Sequence, residues 1–596
     1  MESFNKKFTI TIIPILLFVW GIFLFVFFDP FYSSSSDPEF PYLINGLNCA
    51  LGEFNRIGII EHPGTPFEIF CGITILITYL FSGGGGIAHD VFARPEYYMN
   101  AISISMLLVQ VILILAIGMS ALKRKIPLWQ IAILQASCLF NDLLMWLGSR
   151  VSSERFFLFT GLIFILIYLQ HGFENRSPRK FALWSGTAMA LGLATKFNFL
   201  PLLFLPLLLI YTNKNRLIYV GSVIVSFFVF FSPIINRFGD YRRFLMSIFS
   251  HDGLYGGGDS KVLNFQKMID STTEIFSLNA ELFLLIIVLF VLIIIAFRKR
   301  NEGYKRDIFL FSGFLFIIAL QIIMVSKHFK NAYLVPTFLL YGFMFFTISL
   351  YLSKILKKKV WLIIGCSILP ILFILSTAIK ITREKPSISK IITQREKIRN
   401  FVDTSISKSD FWFVEPTWES GPYVENALVY GLSYCGHRSD YKAVLMAINP
   451  NIITYEDNME SVQLWRVAPI SLDSVVATGK NIYLLSSPGR HAPILLQMLR
   501  NSADRNEFQL LVDTVFSDME TNNQIIRAKL TTDSITNVHP THQTDSLRQS
   551  KIHSYIQSIK NSPDWLESVR QKAIKKNISL DSMILLDAQY MVDTEN

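Results

Sequence analysis

DPFYSSSSDPEFPYLINGLNCALGEFNRIGIIEHPGTP, residues 29–66, follows an apolar run at 8–28 and carries Asp37, Glu39, Glu53, Arg56, Glu61 and His62. Ionisable groups at the mouth of a greasy segment have little structural use there. Charge at a membrane boundary is costly unless it is solvated or paired, so such a stretch reads as a site by default. The rest of the chain then reads as scaffold that holds this loop at the water–lipid interface.

Composition agrees. The 596 residues are 51% hydrophobic and 14% aromatic, and the apolar ones concentrate in the first 380 positions. Runs of about 20 apolar residues are span candidates. The remainder has the make-up of a soluble domain. The expected division is 1–380 as a transmembrane catalytic part, 381–532 as an outer α/β domain, and 533–596 as linker and helical tail. The net charge of +10 belongs to Lys and Arg clusters on inner loops, so nucleic-acid binding is a poor reading of it. Cys49, Cys71, Cys138, Cys366 and Cys435 form no CxxC pair, which removes the zinc and thioredoxin-like signals. Three of them lie in apolar runs as small core residues. Cys49 and Cys435 could share the outer compartment, leaving a disulfide open. The first run is too long for a signal segment and lacks a small-residue cleavage site, so it reads as a retained anchor.

Charges orient the spans. Lys6 and Lys7 place the N-terminus inside and the 29–66 loop outside. The run 67–81 is short, contains Glu68 and leads into four glycines at 83–86, so an interfacial helix on the outer surface is expected. That reading also keeps Lys123-Arg124-Lys125 inside after a span at 99–122. Spans at 127–147 and 156–170 follow, joined by an outer turn at 149–154. Residues 181–212 divide into two short spans near Thr195-Lys196-Phe197-Asn198, which puts Lys196 near the outer face. Further spans fall at 217–235, 281–297, 308–325, 333–352 and 360–379, with a long outer loop at 236–279. The total is about eleven, with the C-terminus outside.

Beyond 380, Ile391, Ile392, Ile398, Phe401 and Val402 give a linker helix one apolar face. Strands are expected at 411–414, 427–430, 482–485 and 508–512, and a helix at 492–500, an α/β pattern. In the tail, Ser562 caps a helix with Pro563 at its first position and Trp565, Val569 and Ala573 on one face. Ser579 caps a second, with Ile578 and Met583 as a hydrophobic staple.

Asp37 and Glu39 can simply make a solvated turn. Placed just past a span and partly desolvated, a carboxylate can also act as general base toward an acceptor hydroxyl or amine. Arg94, Arg150, Arg155, Lys196, Arg237, Arg242, Arg243, Lys327, His328 and Lys330 all fall outside, against the positive-inside trend. Singly they are loop charges or headgroup contacts. A lipid phosphate needs cations at that depth, to hold it and to stabilise it as a leaving group. Glu154 is either a second acid or a neighbour of Arg155. The glycine-rich loop 250–259, with His251 and Tyr255, permits close backbone approach to a sugar or phosphate and lacks the ending of a nucleotide-binding P-loop. It is read as a lid or as plain flexible chain.

Asp37-Pro38-Glu39, Tyr42-Leu43-Ile44-Asn45-Gly46 and His62-Pro63-Gly64-Thr65-Pro66 resemble the first outer loop of the GT-C superfamily. These are polytopic glycosyltransferases that use polyprenyl-phosphate sugars, including protein O-mannosyltransferases and the aminoarabinose transferases of lipid A. Gly192-Leu193-Ala194-Thr195-Lys196 is similar to a Gly-Leu-Ala-x-x-Thr-Lys-like segment of those families, and Lys327-His328-Phe329 with Tyr333-Leu334-Val335-Pro336 to a later outer-loop segment. The resemblance covers residues 8–380. Pro38 separates two acids that are commonly adjacent, and His62-Pro63-Gly64 stands where many relatives carry a Lys-Pro-Pro type sequence.

Residues and resemblance together imply a GT-C-like multi-span helical membrane protein with an exoplasmic α/β domain, in a cell inner membrane with that domain periplasmic. Asp37 and Glu39 are the expected catalytic acids. Lys196, Lys327, His328 and Lys330 are the expected donor-phosphate ligands, and His62, Glu154, Arg155, His251 and Tyr255 the expected substrate contacts. The implied partners are a polyprenyl-phosphate-linked sugar, membrane lipid, and a glycan, lipid or protein acceptor. No cofactor is assigned from the sequence; a divalent metal is compatible but not indicated. The rival readings are a lipid-pyrophosphate-dependent polysaccharide polymerase or ligase, a transporter or lipid flippase, and an anchored receptor. Transport is disfavoured because the ionisable residues gather at one face and no repeat is evident.

Overall fold

The computed structural model describes residues 2–27, 31, 37–60, 64–251, 257, 260, 264–298, 302–356, 358–414, 423–436, 438–455, 462–486, 492–518, 523–531 and scattered positions from 555 to 591. Met1–Ile470 with Asp518–Asn523 forms one compact unit, and Ser471–Ser517 with Gln524–Asn596 a second.

Among the described residues nine helices are long and apolar enough to cross a membrane: Lys6–Val26, Thr65–Ser82, Pro95–Lys123, Ser153–Asn175, Asn213–Ser250, Ala280–Arg298, Tyr304–Ser326, Asn331–Ile355 and Val360–Glu384. Two shorter apolar helices, Leu128–Leu139 and Phe197–Leu209, accompany them. The chain is a multi-pass membrane protein. Burial ranks the spans: 89% of the apolar window of Asn331–Ile355 lies inside the protein, against 22% for Val360–Glu384. A helix apolar all round belongs at the centre when its neighbours cover it, and Tyr341, Phe343, Met344 and Phe346 are wholly buried there. Val360–Glu384 instead turns Trp361 and Ile371 outward, which lipid tolerates. One buried set of charges within this apolar mass is paired, as desolvation favours. Lys380 Nζ lies 2.8 Å from Glu281 and 3.2 Å from Asp142.

Several expectations change. Thr65–Ser82, expected as an interfacial helix, has 18 residues and the length and hydropathy of a span. Gln135 Nε2, however, donates to both Ile10 O and Ile114 O, which sets the Lys123 end of Pro95–Lys123 level with the start of the first span, as the interfacial reading requires. The argument from Glu68 does not hold, because its side chain is fully buried in protein rather than set against lipid. The run expected as one span at 127–147 stops at Leu139. Asn141 breaks it, accepting a hydrogen bond from Leu143 N at 3.1 Å to cap the short helix Asp142–Trp146. Residues 181–212 divide where expected. Pro178–Thr195 ends at an extended Lys196, and the tighter Phe197–Leu203 follows with Pro201 lacking the donor an α-helix needs. The segment 236–279, expected as an outer loop, holds two helices, Phe238–Ser250 and Phe265–Leu278.

The linker helix is longer than expected. Lys359–Ser405 is one helix of 47 residues, so the expected border at 380 falls inside it. Beyond it lie β1 (Phe411–Val414), β2 (Ile452–Tyr455), β3 (Val462–Leu464) and β4 (Ala468–Ile470). β1 runs parallel to β2, with Trp412 opposite Ile452. β2–β3 and β3–β4 are antiparallel, so the sheet is mixed. The strand expected at 427–430 is part of a helix, Val424–Leu432. Residues 426–432 are all buried, so neither a two-residue nor a 3.6-residue period marks the run.

In the second unit β5 (Ile482–Ser486) pairs antiparallel with β7 (Asn523–Thr531), with β6 (Gln509–Asp518) beside β7, and Ala492–Arg505 is helical. In the tail Val569, Met583 and Ile584 share an apolar cluster with Ile559 and Ala588. The expected tail caps, with Ala573 and Ile578, lie outside the described residues. All five cysteines are buried and none forms a disulfide, so Cys49 and Cys435 are not bridged.

Candidate active site

The site begins where the helix Glu39–Ala50 begins. Glu39 is 0% exposed, and Arg150 Nε donates a hydrogen bond to its Oε1. Burial lifts the Glu39 carboxyl above the usual carboxylate range, and Arg150 opposes the rise. Two residues earlier, Asp37 is also lifted by burial, against the pull of Lys330, Lys196 and Arg150, while Glu154 adds to the rise. Six ionisable groups therefore share one neighbourhood, three acidic and three basic.

Each is held by local chemistry. Arg150 belongs to the turn before the helix Ser153–Ile167, whose N-cap Ser152 accepts from Arg155 N at 3.3 Å. Arg155 fastens that turn from beneath: its Nη1 donates to Arg150 O at 3.0 Å and to Ser103 Oγ at 2.5 Å. Ser103 in turn donates to Ser149 O at 2.6 Å. Glu154 stands in the first helical turn, where the helix dipole favours an acid.

Lys196 occupies the break after Pro178–Thr195. Its Nζ donates to Glu154 Oε1 at 2.5 Å and lies 5.0 Å from the centre of the Tyr333 ring. Gly192 is required for the break: a Cβ there would stand 2.4 Å from the Phe199 ring, which folds back on it. Gln321 Nε2 donates to Asn198 O at 3.1 Å and to Tyr333 O at 2.9 Å. This buried amide ties the Lys196 segment to the short helix Asn331–Leu334, which Lys330 precedes.

The expected residues therefore separate. Asp37, Glu39, Glu154, Lys196 and Lys330 come together. Lys327 donates to Ile248 O and, at 3.0 Å, to Phe249 O, where cations suit the C-terminal end of the helix Phe238–Ser250. His328 is half-buried at the close of Glu302–Ser326, its N–H donating to Val325 O at 3.0 Å. His251 pairs with Ser250 Oγ at 2.9 Å. Arg155 is wholly buried, and its Nη1 contacts fasten the turn at Arg150. His62 and Tyr255 lie outside the described residues.

Sequence reasoning passed over Arg150 as a site residue, although it counted among the outer cations. It also passed over Tyr42, which is buried against Phe67 with ring centres 4.8 Å apart and is hydrogen-bonded to Ser153. Burial pushes its phenol well above the usual range. Among the described residues, no group of three or more His, Cys, Asp or Glu is placed to hold a metal ion.

No protein-family model matches the chain, and no curated protein matches it. Among solved structures it is similar to the crystal structure of ArnT from Cupriavidus metallidurans bound to undecaprenyl phosphate, at 12% identity and a TM-score of 0.42, over 86% of this chain and 97% of that one.

Proposed function

We propose that the chain is an integral-membrane glycosyltransferase that moves a sugar from a polyprenyl-phosphate donor to an acceptor on the outer face. The observation that carries this reading is the setting of Asp37: a carboxyl of raised proton affinity between Lys330, Lys196 and Arg150, in the loop that follows the first span. An acceptor hydroxyl or amine attacks the anomeric carbon while its proton passes to Asp37. The bond from that carbon to the phosphate oxygen breaks, and the lipid phosphate leaves with the added charge. Lys330 and Lys196 hold it, a task suited to cations fixed before reaction. Lys196 already donates to Glu154, and its ammonium has further N–H donors to offer the phosphate. The acceptor is a glycan, lipid or protein, the membrane a cell inner membrane, and the outer face periplasmic.

The test is release of polyprenyl phosphate from a polyprenyl-phosphate sugar by the purified chain in nanodiscs. A transporter or flippase would move the lipid without releasing phosphate. Lys196→Ala and Lys330→Ala are each expected to weaken donor binding by roughly 1.5–3 kcal/mol, the range for a hydrogen bond to a charged group. Unchanged donor affinity in both would take these lysines out of donor binding.

Orientation is checked separately. Thiols introduced at the exposed Leu51 and Lys408 are expected to react with an impermeant reagent added outside, while thiols at Lys123 and Lys305 react only after permeabilisation. Outside labelling at Lys305 would reverse the topology.

A further inference from the structure

We infer that residues 424–441 form a clamp that positions the helix Glu39–Ala50, and with it Asp37, with Gly431, Asn48 and Tyr441 as its positioning residues. The inference rests on the reading of Asp37 given above.

The helix Glu39–Ala50 has only 12 residues. Helices that short are marginal alone, so their position comes from what they pack on. One side lies against Thr65–Ser82, where a Cβ on Gly46 would come 2.7 Å from Cys71 Cβ. The other side meets Val424–Leu432. A Cβ on Gly431 would stand 3.0 Å from both the carbonyl carbon and the oxygen of Phe40, the residue after Glu39. The clamp therefore touches the backbone at the point where the acids leave the helix.

Polar contacts then fix the helix against sliding and rotation. Asn45 and Asn48, three apart and thus on one face, are both 0% exposed. Asn45 Nδ2 donates to Tyr434 O at 3.1 Å, and its Oδ1 accepts from Gly58 N at 2.9 Å. Asn48 Nδ2 donates to Arg56 O at 2.9 Å, and its Oδ1 accepts from the Tyr441 hydroxyl at 2.5 Å. Gly436 N also donates to Arg56 O, at 2.8 Å, and the Arg56 guanidinium meets Asp440 at 2.7 Å. Apolar contact alone tolerates a shift, whereas a satisfied buried amide network does not, because each displaced group loses its partner in a dry place. The clamp thus sets the rotation of the helix, and that rotation decides whether Asp37 faces Lys330 and Lys196.

The test uses the full chain in nanodiscs with two variants. Gly431→Ala presses on the Phe40 carbonyl; Tyr441→Phe deletes a single hydroxyl and keeps the ring. Amide hydrogen exchange at residues 40–50 reads the clamp without reference to any reaction. It is expected to speed up in both variants while the spans keep their protection. Turnover on a polyprenyl-phosphate sugar is expected to fall about tenfold in Gly431→Ala, less in Tyr441→Phe, from misplacement of well under 1 Å. Donor affinity should hold. The acid limb of the pH–turnover curve should move to higher pH, as Asp37 loses the nearness of its lysines. Unchanged exchange in both variants would overturn the clamp. Faster exchange with full turnover and an unmoved pH curve would overturn the positioning role. An inert Asp37→Asn would instead remove the reading of the reaction, and exchange would still decide on the clamp.

Discussion

Asp37→Asn is expected to lower sugar transfer by about 10²–10⁴-fold, the usual contribution of a general base, and to leave donor binding intact. The substitution keeps shape and removes the proton acceptor. In the proposed reaction the phosphate is held by Lys330 and Lys196, which the change does not touch. The pH dependence carries a second signature. A base works ionised, so turnover falls as pH falls through its pKa. Burial sets that pKa above the ordinary 3.8, and the wild-type acid limb should lie above the usual aspartate range accordingly. Lys330→Gln removes a charge that lowers this pKa, so the limb should move further up. Equal turnover by Asp37→Asn and wild type, both folded, would take Asp37 out of the chemistry. Glu39→Gln should do less, since Glu39 is held on Arg150 inside the protein.

The second large effect concerns that pair. Arg150→Met strands a carboxylate that is 0% exposed. Breaking a buried ion pair from one side costs about 3–5 kcal/mol, and the lower end applies here because a third of the Arg150 side chain is exposed. Its pH dependence has a definite sign. The folded Glu39 carboxyl already has a raised pKa, and losing Arg150 raises it further. Stability associated with such an acid is present below the unfolded value of 4.5 and is lost as pH rises toward the folded one. Denaturation of Arg150→Met should therefore show a penalty at pH 8 that shrinks on acidification. Adding Glu39→Gln should recover much of it, because no charge is then left stranded. Failure of that rescue would mean that Arg150 matters for something other than Glu39.

The spans were legible because lipid leaves little choice: an apolar run near full membrane length has few alternatives to a helix. The break at Lys196 was legible too, from a polar Thr-Lys between apolar flanks. Glu68 was a weak argument for the placement of its helix, because sequence cannot tell a charge against lipid from one against protein. Within the site, Asp37, Glu154, Lys196 and Lys330 could be named from placement and resemblance. Their arrangement could not. Arg150 meets Glu39 across 111 residues, and Tyr441 meets Asn48 across 393. Nothing local in one sequence marks such partners. The same holds for Val424–Leu432, which is buried against the helix Glu39–Ala50 and so has no solvent face to betray its period.

The helix Lys359–Ser405 carries a mechanical consequence. At 1.5 Å per residue, its 47 residues make a rod of about 70 Å along its contour. Its apolar segment ends at Glu384, so the last 21 of its 47 residues stand beyond that segment as an unbroken post. The described residues between 406 and 441 follow the end of that post, and angular phase becomes a heritable property of its length. One inserted residue would turn everything after it by about 100°, while seven would return it almost to its starting direction, only displaced along the axis. Length variation in this post is thus quantised by the helical turn, unlike that of a loop, which can absorb any number.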